Sequence, residues 1–135
     1  MSGRTFFIDI DGTIVKHVTN HELDEILANA SEGKSESKSE NTHENNEFTE
    51  VLLPNVKEFW AKFTENDRII ITTARKEEHR KLTEKIFTDN NLYYDALIME
   101  LPSGPRVLIN DTPDMMYKKA IAINVKRDEG FWFEQ

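Results

Sequence analysis

Residues Asp9-Ile10-Asp11-Gly12-Thr13 hold the clearest chemistry in the chain. They close an apolar run, Thr5–Ile10, that reads as a β-strand. In an extended segment residues two apart point the same way, so the carboxylates of Asp9 and Asp11 share one side. Like charges this close raise each other's pKa unless a cation or an electrophile sits between them. A divalent cation and an incoming phosphoryl group would give the pair a purpose. Gly12 allows a sharp turn away from the strand. Nine Asp residues give about 0.6 chance D-x-D pairs, and requiring Gly-Thr next lowers this to about 0.002. Two later apolar runs also end in polar residues. Ile69–Arg75 (IIITTAR) ends in Thr72, Thr73, Ala74 and Arg75, and Val107–Asp114 (VLINDTPD) ends in Asn110, Asp111 and Asp114.

These residues need elements to position them. Apolar spacing predicts a strand at Thr5–Ile10, a short helix over 21–30, a helix over 55–65 and a strand at Arg68–Thr72. It then predicts a helix over 76–90, a strand at Ala96–Met99, a strand at Arg106–Asn110, a helical turn at 114–119 and a final strand at Ile121–Val125. Apolar strands alternating with amphipathic helices imply an α/β fold with a central parallel sheet and helices on both faces. Ligands of such sheets bind beyond the C-terminal strand ends, where the polar residues above lie. Ile14–Val18 and Glu50–Leu53 read as two strands of an extended flap hairpin. The polar insert 31–47 (SEGKSESKSENTHENNE, five Glu and two Lys) reads as a flexible loop at its tip. One domain spanning 1–135 is expected.

The Asp9–Thr13 motif, the TTAR strand end and the VLIND strand end together resemble the haloacid dehalogenase (HAD) superfamily of magnesium-dependent phosphatases. The resemblance covers nearly the whole chain except the polar insert. It implies a Rossmann-like core of the capless type and an aspartyl-phosphate mechanism. Asp9 would be the nucleophile and Asp11 the general acid/base. Thr73 would hydrogen-bond the phosphoryl oxygens, with Thr72 as the alternative. Asp111 would bind Mg²⁺ together with the Asp9 carboxylate and the Asp11 main-chain carbonyl. Gly12, Thr13 and Ala74 are further candidate contacts to phosphate. The superfamily also carries a Lys that neutralises the nucleophile and phosphate. No Lys occurs here between Lys85 and Lys118, which leaves Arg75, Lys76, Arg106 or Arg127 as candidate cations. Asp114 is open between a capping and a metal role.

Composition bounds the partners. The chain has 135 residues, 17 Lys+Arg against 25 Asp+Glu, a net charge of −8 and no Cys. That balance disfavours non-specific nucleic-acid binding without excluding a polynucleotide 3′-phosphatase, for which the basic helix Lys76–Lys85 would be the footprint. The residues of that helix read more simply as a solvated face, and His17, His21, His43 and His79 as surface residues. No apolar run reaches the length of a membrane span, and the N-terminus has no secretory pattern. The leading expectation is a cytoplasmic phosphomonoesterase acting on a small sugar phosphate or nucleotide. The alternative is a catalytically weak phosphate- or protein-binding module. A homo-oligomer is compatible with either. Phe131, Trp132 and Phe133 are expected to close the core, with an oligomer contact or a substrate wall as the alternative.

Overall fold

The structure, a computed structural model, describes residues 3–35 and 48–133, without the side chains of 31–35. Three parallel strands form its centre: β1 (Thr5–Ile8), β2 (Arg68–Thr72) and β3 (Ala96–Ile98), in the order β1-β2-β3. Ile8 pairs with Ile71 and Thr72 with Ile98, so all three chains run toward the same end of the sheet. The architecture is α/β.

The order follows from the connections. Between β1 and β2 lie α1 (Asn20–Ser35) and α2 (Val56–Trp60). Between β2 and β3 lie a 3₁₀ turn (Glu77–His79) and α3 (Arg80–Asn90). A parallel pair needs such a crossover. α1 starts with a capping box: Thr19 Oγ1 accepts the Glu22 N–H at 3.1 Å, and Glu22 Oε1 accepts the Thr19 N–H at 2.8 Å. α3 ends at Asn91 in the left-handed conformation (φ 57), which turns the chain back so that the Leu92 N–H reaches Phe87 O at 2.9 Å.

The core packs Ile8, Ile10, Ile69 and Ile71 of the sheet region against Val56, Phe59 and Trp60 of α2 and Ile86 and Phe87 of α3. Phe59 is its aromatic hub, edge-on to Phe6, Phe63 and Phe131 at 5.9, 5.3 and 4.8 Å between ring centres. Phe131 closes the core as expected, while Trp132 stays 70% exposed. Gly130 makes that closure possible: its φ is +86, and a Cβ would stand 2.3 Å from Pro54 O.

Several expectations change. The first strand stops at Ile8, and the helix expected over 55–65 is the single turn of α2. The loop expected from residue 31 is helical through Ser35; residues 36–47 of that insert lie outside the described residues. The flap hairpin is reduced to a bridge between Val15 and Leu52, with Lys16 N–H on Val51 O at 2.9 Å and Leu53 N–H on Ile14 O at 2.9 Å. The strands expected at 106–110 and 121–125 and the turn of helix at 114–119 are not formed. Residues 102–124 are exposed throughout. A strand exists only where it finds a partner, and among the described residues nothing pairs with this segment. Its apolar runs carried the strand signal without the partner. The helices expected on both faces of a larger sheet therefore flank only three strands.

Candidate active site

The site forms where β1 and β2 end. Past Ile8 the chain winds around one carbonyl: Ile10 O accepts the N–H groups of Thr13, Ile14 and Val15 at 3.0, 2.8 and 3.2 Å. Gly12 sits in this loop with φ +83, a conformation that a side chain would strain. The loop holds Asp9 and Asp11 at the sheet end. Thr13 Oγ1 donates to Asp9 Oδ2 at 3.3 Å. Burial of the Asp9 carboxylate among protein atoms raises its pKa, and the charge of Asp11 pushes the same way. A hydrogen bond from the Ile10 backbone, the Thr13 hydroxyl and the charge of Arg106 oppose the rise.

Beyond β2, Thr73 is fully buried. Its N–H reaches Ile98 O at 3.0 Å, and its hydroxyl oxygen accepts the Arg75 N–H at 3.1 Å. Thr72, one residue earlier in the register, is half-buried. Arg75 is also buried and reaches across to the first motif. Its Nε donates to Asp11 Oδ2 at 3.0 Å and its Nη2 to Asp11 Oδ1 at 2.8 Å. On its other edge Nη1 and Nη2 donate to Glu50 at 2.8 and 2.9 Å, and Nη1 also donates to Thr83 at 3.1 Å. Burial works against the guanidinium charge, but the hydrogen bonds it donates to Asp11 and Glu50 outweigh it and hold its pKa above the usual value.

The remaining sequence candidates fall in three places. Ala74 O accepts from Asn20 Nδ2 at 3.3 Å and Lys76 N–H donates to Asn20 Oδ1 at 3.2 Å, so both serve to dock α1. The ammonium of Lys76 lies 3.7 Å from Asp24. Arg106 is exposed; its Nη1 is held by the carbonyls of Pro102 and Gly104 at 2.8 and 2.7 Å, while its charge still acts on Asp9. Asp111 is exposed on the 102–124 segment, where its partner is Lys119 Nζ at 3.3 Å rather than the first motif. Asn110 Nδ2 donates to Lys119 O at 3.3 Å, and Asp114 Oδ1 caps its own turn through the N–H groups of Met116 and Tyr117. Arg127 lies against the first motif: a Cβ on Gly12 would meet its Cγ at 3.0 Å. The next residue ties the loops together, with Asp128 N–H on Gly12 O at 2.9 Å and His17 N–H on Asp128 Oδ1 at 2.8 Å.

Sequence reasoning missed Glu50, Thr83 and a second cluster. His79, expected at the surface, is fully buried with Nε2 2.7 Å from Asp24 Oδ1 and 3.6 Å from Glu78 Oε2. The three ligand atoms are close enough to face one ion. A metal-bound imidazole, however, donates its second ring N–H to an acceptor. His79 Nδ1 is buried and faces none. The bare lone pair is the least costly state of Nδ1, which puts the proton on Nε2, donating to Asp24. That bond lowers the Asp24 pKa and fastens α1 to the 3₁₀ turn.

No protein-family model, no curated protein and no solved structure matches the chain.

Proposed function

We propose that the chain is a phosphomonoester hydrolase of HAD-like design, working through a covalent phosphate on Asp9. One observation carries this reading: Asp9 and Asp11 stand together at the C-terminal end of β1, and Arg75, just past the end of its parallel neighbour β2, forks onto Asp11. The parallel strand order and the two motifs at the ends of β1 and β2 support a HAD-like core.

In the proposed reaction, an Asp9 oxygen attacks phosphorus and the bond to the leaving oxygen breaks. Asp11 gives that oxygen a proton. It then takes a proton from water, whose oxygen attacks the aspartyl-phosphate and returns free Asp9 and inorganic phosphate. The Arg75 fork orients Asp11 for both transfers. Thr13 hydrogen-bonds Asp9 and fixes its rotamer. Thr72 is the more accessible hydroxyl for a phosphoryl oxygen, because Thr73 is fully buried.

The donor set suits a hard cation. The Asp9 carboxylate, crowded by Asp11 and with no basic side chain in hydrogen-bond contact, and the main-chain carbonyl of Asp11 are oxygen ligands of the kind Mg²⁺ takes. Asp111 would be a third ligand once the 102–124 segment is drawn toward the loop. Bound Mg²⁺ would screen the negative charges of Asp9 and the phosphoryl group from each other. The substrate is a small phosphomonoester such as a sugar phosphate or nucleotide.

A second reading is favoured by one observation. Every donor of Arg75 is committed within the protein, so the TTAR strand end offers no free cation to a phosphoryl group. A phosphate-binding module without turnover fits that. A panel of phosphomonoesters assayed with Mg²⁺, beside Asp9→Asn, separates the two. Turnover abolished by the substitution supports the enzyme; tight phosphate binding with no turnover supports the module.

A further inference from the structure

Arg75 is the largest fully buried side chain among the described residues. A guanidinium has five N–H donors and no acceptor. Arg75 makes five side-chain hydrogen bonds: two to Asp11, two to Glu50 and one to Thr83. Its donor capacity is therefore filled, and it has nothing left for substrate. Its work is to place something else.

The two carboxylates it holds differ in position. Asp11, with 16% of its side chain exposed, faces the site; Glu50, at 7%, is behind it. Glu50 belongs to the flap segment, two residues before Leu52, which bridges to Val15 of the catalytic loop. A guanidinium is planar and its donors are fixed relative to one another. Gripping Glu50 along one edge and Thr83 at the corner therefore fixes the plane in which the remaining edge meets Asp11. The geometry points to Arg75 and Glu50 as positioning residues for Asp11, through which the flap segment controls proton transfer at the site. This rests on the phosphatase reading above.

The consequence is selective. An alkoxide leaving group, as in glycerol phosphate, needs a proton as it departs, which Asp11 supplies in the reaction proposed above. A 4-nitrophenolate leaving group is stable without one. Loosening Asp11 therefore slows alkyl esters and spares aryl esters. A loss of folded protein slows both alike.

The experiment measures kcat and KM for glycerol phosphate and 4-nitrophenyl phosphate with Mg²⁺, in wild type, Glu50→Gln, Glu50→Asp and Arg75→Lys, with thermal unfolding of each. Glu50→Asp keeps the charge but cannot keep both bonds, and it carries the test if the other two variants do not fold. Each folded variant is expected to lose about 10²-fold in kcat for the alkyl ester relative to the aryl ester, the scale of general-acid assistance, with KM little changed. An equal fall for both esters, or no fall for either, overturns the positioning role and leaves the phosphatase reading standing. A wild type that hydrolyses neither ester removes both.

Discussion

At the scale of single residues the site turns on how each carboxylate is partnered. Asp11 has a guanidinium; Asp9 accepts from the Thr13 hydroxyl and the Ile10 backbone, while desolvation and the charge of Asp11 raise its pKa. In the proposed reaction Asp9 is the nucleophile and Asp11, oriented by the fork, the proton carrier. Asp11→Asn is accordingly expected to lower kcat for an alkyl phosphate by about 10²–10⁴-fold, with a smaller loss for an aryl phosphate. Equal losses for the two substrates in steady-state assays would argue against the acid/base role. The D-x-D-G-T run and the TTAR strand end were legible because polar residues closing an apolar run mark a strand's C-terminal end, although β1 stops at Ile8 and a turn, not strand spacing, sets the direction of Asp9 and Asp11. The partnership of Arg75 was not. Glu50 is 25 positions before Arg75, just after the polar insert, and nothing in its local sequence sets it apart from the chain's other acidic residues.

At the scale of elements, α1 is the most lightly attached piece. Leu23 is buried, and two polar side chains dock the helix: Asn20 on Ala74 and Lys76, and Asp24 on His79. Asn20→Ala removes two hydrogen bonds and should cost about 1–3 kcal/mol of local stability. Hydrogen exchange should show faster opening over 20–30 with α3 unchanged; unchanged exchange in α1 would contradict the docking role. The capping box Thr19–Glu22 could have been read from the sequence and would have started the helix correctly.

The sheet has its own anchor. Asp67 Oδ1 accepts the Arg4 N–H at 3.0 Å and Oδ2 accepts the Thr64 N–H at 2.9 Å, joining the starts of β1 and β2. The Thr64 backbone bond is the main cause that lowers the Asp67 pKa below 3.8, with the Arg4 bond second. A carboxylate with a lower pKa folded than unfolded adds stability above the unfolded value, and that stability is lost as pH falls through the folded one. Asp67→Asn should therefore destabilise at neutral pH and flatten the loss of stability below about pH 4, seen by denaturant unfolding across pH. A variant with the wild-type acid profile would sink this assignment. β2 matched its expected bounds, because a buried apolar run between polar ends has one reading. The 106–110 and 121–125 runs had the same look, but a strand also depends on an edge that sequence does not show.

At the scale of the molecule, three strands and their helices make a small core, and a 23-residue segment lies outside it. That segment exposes Val107, Ile109, Met115, Met116 and Ile121, each at least two-thirds bare or nearly so, and it carries Asp111. The insert 31–47, with five Glu and two Lys, holds part of the negative charge that first argued against nucleic acid, whereas 102–124 has more basic than acidic residues; Arg80 and Lys85 of the basic helix are paired with Glu77 and Asp89. No helix among the described residues is long and apolar enough to cross a membrane. Among the described residues, limited proteolysis should cut within 102–124 first. If Asp111 is a ligand, Mg²⁺ should slow that cut in wild type and not in Asp111→Asn; equal cutting with and without Mg²⁺ would remove Asp111 from the ligand set.

The central claim is that Asp9 accepts the phosphoryl group. The most direct test is steady-state hydrolysis of 4-nitrophenyl phosphate by the purified chain with Mg²⁺, beside Asp9→Asn and beside EDTA. Turnover in wild type that vanishes both in the variant and on chelation is the predicted result. Turnover that survives Asp9→Asn would contradict it.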